Sequence, residues 1–192
     1  MAVRPGRHQL GPEHGRIILR TSRDGLAATA GHDLTIEATR WSGVLAVNED
    51  LSPAGLDVHI DMGALLVREG TGGVKPLSDR DRREIAVTAR KTLAADRYPE
   101  AVFAASTFAP AAAGGGGEIS GTLTLHGETR PLRLRVSQAG PDRYHAEATV
   151  VQTDYGIKPY SGFLGALRVR DAVEVAADVD LSQLANGAGA AG

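Results

Sequence analysis

The sequence predicts an all-β domain, an antiparallel barrel or sandwich interrupted by one helix, and two observations carry that prediction. Apolar side chains alternate with polar ones over about nine short segments separated by turn residues. Only in residues 79–95 does the apolar spacing lengthen to four. Alternation leaves one wet face per strand, which favours antiparallel pairing, because parallel strands covered on both faces read as unbroken apolar runs. Periodicity does not choose between sandwich and barrel, since both bury one face of each strand.

The clearest element is a hairpin. Leu123 and Leu125 alternate with Thr122 and Thr124, Leu132, Leu134 and Val136 alternate with Arg133 and Arg135, and the polar residues 126–129 join the arms. Its leucine face needs a covering layer, so the other strands must supply one. In chain order, a Pro/Gly-containing lead (residues 1–13) precedes a strand over 14–23 with Ile17 and Leu19 on one face. Residues 22–25 then signal a turn, and a short strand is expected over 26–30. Strands follow at 34–39, marked by Leu34 and Ile36, and at 42–48, marked by Val44. After a turn at 49–53, Leu56, Val58, Ile60 and Met62 alternate with Asp57, His59 and Asp61.

Ser78 before Asp79 and Asp81 reads as an N-cap with first-turn acids, and Ile85, Ala89 and Leu93 form a narrow stripe until Tyr98-Pro99 stops the helix. Such a stripe suits a sheet edge or a barrel end. Residues 101–108 form the next strand, 110–117 read as a flexible Ala/Gly connector, and strands at 144–153 and 172–181 complete the set. Residues 183–192 read as a flexible tail, leaving 14–182 as one domain.

Composition excludes several functions. Net charge is −2 with 21 basic and 23 acidic residues spread along the chain, and aromatic residues are 4%, so neither an electrostatic footprint nor a stacking surface for nucleic acid is present. Without cysteine there is no disulfide, thiolate metal site or thiol nucleophile. No apolar run approaches a membrane span, and no apolar h-region follows Met1, which sets the expectation of a cytoplasmic protein without stable membrane insertion.

Candidate sites meet plain structural readings. Asp57, His59 and Asp61 share one strand face, but a single ion would need ligands from another strand, so a solvated outer face explains them better. His126 and His145 also read as surface residues. Gly70-Thr71-Gly72-Gly73-Val74-Lys75 fails the P-loop pattern, because Pro76 follows the lysine and Asp79 and Asp81 would repel phosphate, so it reads as a hairpin or lid loop. Ser161 is not in a nucleophile elbow. Asp33 after His32 reads as a turn cap before an acid/base partner. No catalytic residue and no metal site is assigned.

Several segments resemble the YceI-like family of lipocalin-type barrels. They are Gly31-His32-Asp33-Leu34, Leu77-Ser78-Asp79-Arg80-Asp81, residues 97–103, the Gly121–Leu134 hairpin with its Gly-x-Leu-Thr-Leu-His-Gly-x-Thr-x-Pro-Leu order, and Tyr155-Gly156-Ile157-Lys158-Pro159-Tyr160. The resemblance spans residues 14–182 and implies a lipocalin-like antiparallel barrel of about eight strands, with the helix capping or flanking it. It further implies an isoprenoid chain, often a quinone, in the lumen, and frequent homodimers. The Gln152-Thr153-Asp154-Tyr155 stretch lacks the arginine that many relatives carry before the aromatic-glycine pair, so a headgroup contact by that residue does not transfer.

The expected function is therefore non-catalytic binding, transport or storage of a polyisoprenoid, an isoprenoid quinone or a similar amphiphile. No cofactor is called for beyond such a bound lipid. The expected apolar contacts are Ile17, Leu19, Ile36, Val58, Ile60, Phe103, Leu123, Leu125, Leu134, Val150, Phe163 and Val175, with His32, Lys158 and Tyr160 as headgroup contacts at the mouth. Ala146, Ala148 and Ala177 leave room for a chain. Two rival readings are an enzyme using His32, Asp33 and Lys158 on a hydrophobic substrate, and a stress-related interaction module whose barrel is filled by its own side chains.

Overall fold

A computed structural model describes residues 3–111 and 115–186, with the side chains of residues 163, 185 and 186 outside the description. The strands are β1 (Gly6–Leu10), β2 (Gly15–Thr21), β3 (Arg23–Asp24), β4 (Asp33–Ala38), β5 (Trp41–Val47), β6 (Pro53–Asp61), β7 (Leu65–Thr71), β8 (Glu100–Pro110), β9 (Gly116–Leu125), β10 (Glu128–Gly140), β11 (Arg143–Val151), β12 (Ser161–Gly162), β13 (Leu167–Val169) and β14 (Ala172–Asp180). Helix α1 (Asp79–Thr92) separates β7 from β8, and a short α2 (Ser182–Asn186) follows β14. Eleven strands form one antiparallel sheet in the order β1-β5-β6-β8-β9-β10-β11-β14-β2-β4-β7, while β12-β13-β3 form a small second sheet.

The chain's own connections force the large sheet to curl. β4 is next to one end of the strand order and β5 next to the other, yet only Thr39 and Arg40 join them. The seam is stitched by backbone bonds: Asp61 N donates to Arg40 O at 3.0 Å, and Thr39 N donates to Ala64 O at 2.9 Å. With β1 and β7 as ends and no ladder between them among the described residues, the sheet is a strongly curled half-barrel. Helix α1 packs along β7 and supplies a further stave there. Its N-terminus is fixed by a reciprocal capping box, with Asp81 N donating to Ser78 Oγ at 3.2 Å and Ser78 N to Asp81 Oδ2 at 2.9 Å.

Several expectations are corrected. The lead is not outside the sheet, because β1 pairs with β5 from Gly6↔Val47 to Leu10↔Gly43 and buries Leu10. Residues 26–30 form no strand. Gly25 turns the chain at φ +97°, the alanine-rich stretch has little β preference, and Ala28–Ala30 closes into a 3-10 turn. Strand β7 went unrecognised because Leu65 and Leu66 break the alternation, Leu66 being exposed and a bulge lying between Thr35 and Ile36 on its partner. Helix α1 ends at Thr92 instead of 95, where Ala94 takes a left-handed φ of 46°.

The supposed connector is strand at both of its ends. Pro110 closes β8 and Gly116 and Gly117 open β9, where added Cβ atoms would lie 2.3 Å from Val136 O and 2.2 Å from Ala109 O. Those glycines let neighbouring backbones approach, while residues 112–114 fall outside the description. Of the supposed tail, residues 183–186 belong to helix α2 (Ser182–Asn186) and residues 187–192 lie outside the described chain. The hairpin turn holds two residues, not four: His126 and Gly127 have φ of 53° and 82°, the left-handed pair that suits a tight hairpin.

Candidate ligand-binding cavity

The curled sheet encloses a cavity of about 1330 Å³. Its walls follow from strand alternation, since the apolar residue of each pair points inward. Eleven of the twelve expected apolar contacts line it: Ile17 and Leu19 on β2, Ile36 on β4, Val58 and Ile60 on β6, Phe103 on β8, Leu123 and Leu125 on β9, Leu134 on β10, Val150 on β11 and Val175 on β14. The twelfth, Phe163, has a side chain outside the description. Ala146 and Ala177 face each other across the β11–β14 ladder and both line the cavity, whereas Ala148 does not. Two buried clusters contribute to this one wall, around Phe103, Leu123 and Val150 and around Leu10, Ile17 and Trp41.

Sequence reading missed part of the wall. Leu10 comes from the strand hidden in the lead, and Trp41 from the seam beside Arg40. Ile85, Ala89 and Leu93 of the α1 region also line the cavity, so the stripe visible at four-residue spacing is the face the helix turns to the lumen.

Polar groups gather where the small sheet meets β4. Thr21, Arg23, His32, Tyr160 and Arg168 line the cavity there. Arg23 is held by its neighbours: its Nη1 donates to Gly31 O at 2.6 Å, its backbone N donates to Asp33 Oδ1 at 2.8 Å, and its Nε lies 3.8 Å from that carboxylate oxygen. His32 Nε2 donates to the carbonyl of Lys75 at 2.8 Å, tying the loop of residues 70–75 to the mouth. Thr21 Oγ1 has no hydrogen-bond partner among the described residues. Gln152, also in the wall and buried, donates from Nε2 to Arg170 O at 2.9 Å.

Lys158 does not join this group. It lies in a separate shallow cleft with Asp24, Ser161 and Asp171, which shares only Tyr160, Arg168 and Val169 with the main cavity. The triad proposed for an enzyme is thus dispersed, with His32 bonded to Lys75, Asp33 to Arg23, and Lys158 elsewhere. Asp61 pairs with Arg40 at 2.8 Å and His59 approaches Glu100 at 3.5 Å, and the described residues hold no cluster of three or more metal-ligating groups. His145 is held by Asp178 at 2.7 Å. His126 is not a plain surface residue: its Nδ1 lies 3.0 Å from Tyr155 O and its ring packs 4.6 Å from that of Tyr98. Tyr155 is buried, and desolvation, with the nearby Asp154 charge, raises its phenol above the ordinary value.

A sequence profile of the YceI-like domain matches residues 9–181. The chain belongs to the YceI-like family. Its fold is also that of several solved structures at low identity. Burkholderia cenocepacia BcnA matches at TM-score 0.57 and 16% identity over 86% of this chain and 94% of that one. A polyisoprenoid binding domain from Saccharophagus degradans, implicated in plant cell wall breakdown, matches at TM-score 0.54 and 13% identity over 91% and 97%. The Campylobacter jejuni YCEI protein matches at TM-score 0.50 and 15% identity over 74% and 83%. No curated protein matches the chain by sequence. The apolar cavity of the curled sheet is thus built within a YceI-like fold.

Proposed function

We propose that this YceI-like protein is a non-catalytic carrier or store for a polyisoprenoid, such as an isoprenoid quinone, whose tail occupies the cavity and whose polar end lies near Arg23 and His32. The observation that carries the reading is the cavity itself, about 1330 Å³ with walls of leucine, isoleucine, valine and alanine. Drug-sized ligands occupy roughly 300–1,000 Å³, so the space suits a longer chain. Affinity would come mainly from apolar area removed from water, at about 25 cal/mol per Å². Shape then selects the ligand more than any functional group does. The polyisoprenoid binding domain among the structural relatives supports the same class of occupant.

The cavity counts against a barrel filled by its own side chains, and the scattered His32, Asp33 and Lys158 lend no support to chemistry at the mouth. Homodimerisation, which the resemblance implies, belongs to the same proposal and is read by sedimentation. The test of the carrier role is organic extraction and native mass spectrometry of protein purified without delipidation. A lipid retained at one per chain, with mass in the isoprenoid range, is the expected result. Protein that neither retains nor takes up any isoprenoid lipid contradicts the proposal.

A further inference from the structure

The three most exposed large apolar side chains of the described protein are Leu164, Leu26 and Val74, at 110%, 100% and 84% exposure, and each stands on a segment that reaches the cavity wall or is bonded to it: Leu164 before Leu167 and Arg168, Leu26 before Ala30 and His32, and Val74 beside Lys75, whose carbonyl His32 bonds. No other large apolar residue in that group exceeds the 52% of Val87. Each stands on a different loop, and the loops are joined. Ala27 N, beside Leu26, donates to Ala166 O, two residues after Leu164, at 2.8 Å. His32 Nε2, which lines the mouth, bonds the carbonyl of Lys75, one residue after Val74. None of the three side chains lines the cavity, and all three face solvent.

Leu164 also holds a left-handed backbone, φ 55° and ψ 33°. A leucine that is both strained and wholly in water gains nothing from the fold, and strain of this kind is kept at functional positions. Charge completes the picture. The loop segment 156–171 carries Lys158, Arg168 and Arg170 against Asp171, a net of +2, and segment 20–34 balances Arg20 and Arg23 against Asp24 and Asp33, in a chain whose total is −2. Of these cations, Arg168 stands opposite Asp24 in the β13–β3 register, and Lys75 in the neighbouring loop is close enough to Asp81 to lower its carboxyl. Apolar tips beside a segment of net positive charge match an anionic bilayer surface, where leucine enters the interface and cations meet lipid phosphate.

We propose that these three loops are a reversible docking surface for an anionic membrane, which sets the cavity mouth against the bilayer so that a lipid tail passes between the two without crossing water. The passage of lipid rests on the carrier reading; the docking does not. The experiment uses full-length, ligand-stripped protein in sedimentation with vesicles of phosphatidylcholine alone or with one part in about three of phosphatidylglycerol. Wild type should partition onto the anionic vesicles, and raised salt should weaken binding. The triple variant Leu26→Ser/Val74→Ser/Leu164→Ser should bind at least about tenfold less tightly, with unchanged thermal unfolding and unchanged uptake of quinone added from ethanol without vesicles.

Wild type that ignores both vesicle types, or a triple variant that binds as well as wild type, overturns the docking surface. A wild-type dimer that the triple substitution turns into monomer also overturns it, because the tips then belong to a second copy. Vesicle binding without any quinone uptake upholds docking and defeats the carrier role alone.

Discussion

His32 Nε2 lies 2.8 Å from the carbonyl oxygen of Lys75, so one ring on the wall of the cavity fastens the loop that borders its mouth. The acceptor is a carbonyl, hence Nε2 carries the proton whether the ring is neutral or charged. Gly73 completes the lock, since at φ +73° an added Cβ would stand 2.4 Å from the imidazole. A single hydrogen bond of this kind contributes about 1 kcal/mol. In His32→Ala, amide exchange across residues 71–75 should therefore quicken by about five- to tenfold, read by hydrogen-exchange mass spectrometry. Unchanged exchange there means that the loop is held by something else.

Gly127 marks a second place where only glycine serves. It closes the β9–β10 turn at φ +82°, and an added Cβ would meet the Tyr98 ring at 2.7 Å. Gly127→Ala should cost about 1–3 kcal/mol of stability, seen as a lower urea midpoint with an unchanged slope. A midpoint equal to wild type contradicts the geometry of the turn.

Asp180 predicts an acid response at the end of the chain. Hydrogen bonds from Ser182, then the bond to Arg143, hold its carboxyl at about 2. Because the folded value lies below the unfolded one, its contribution is present above the ordinary carboxylate range and is lost as pH falls from about 4 through 2. Helix α2, whose Leu184 packs on the Leu181 cluster, should loosen in that window. Asp180→Asn should remove the pH dependence, as followed by NMR of Ser182 and Leu184. The same profile in the variant rules Asp180 out as its source.

Ala146 and Ala177 are register partners on β11 and β14, and both face the lumen. Phenylalanine at both positions narrows the cavity without opening a hole elsewhere. If about 60 Å² of ligand contact is displaced at about 25 cal/mol per Å², the loss is about 1.5 kcal/mol, or roughly tenfold in affinity. Isothermal titration with a long-chain isoprenoid quinone checks this, with thermal unfolding as the control for folding. Undiminished affinity in a folded double variant places the ligand somewhere else.

The inner wall was legible because alternation is a local signal. Leu123 and Leu125 or Val58 and Ile60 declare their face without knowledge of their neighbours. What stayed hidden depended on partners distant in sequence. Strand β1 has little pattern of its own and exists through its pairing with β5, and β7 loses its alternation at Leu65 and Leu66 and at the bulge against β4. The Ala/Gly connector misled for a related reason: Gly116 and Gly117 look flexible until the close backbones beside them are known. At the mouth, His32 and Tyr160 line the cavity, whereas Arg23, Thr21 and Arg168 come together only through the small β12-β13-β3 sheet, which no periodicity announces. Lys158 follows the same chain turn but faces the neighbouring cleft.

Trp41 gives the most direct reading of the central claim, for it is the single tryptophan of the chain and lies buried in the cavity wall. Titration of an isoprenoid quinone into lipid-free protein should quench its fluorescence along a saturable curve with one site per chain, and the Ala146→Phe/Ala177→Phe variant should need roughly ten times more quinone. A linear, non-saturating response identical in both proteins would show that no hydrocarbon tail enters the lumen.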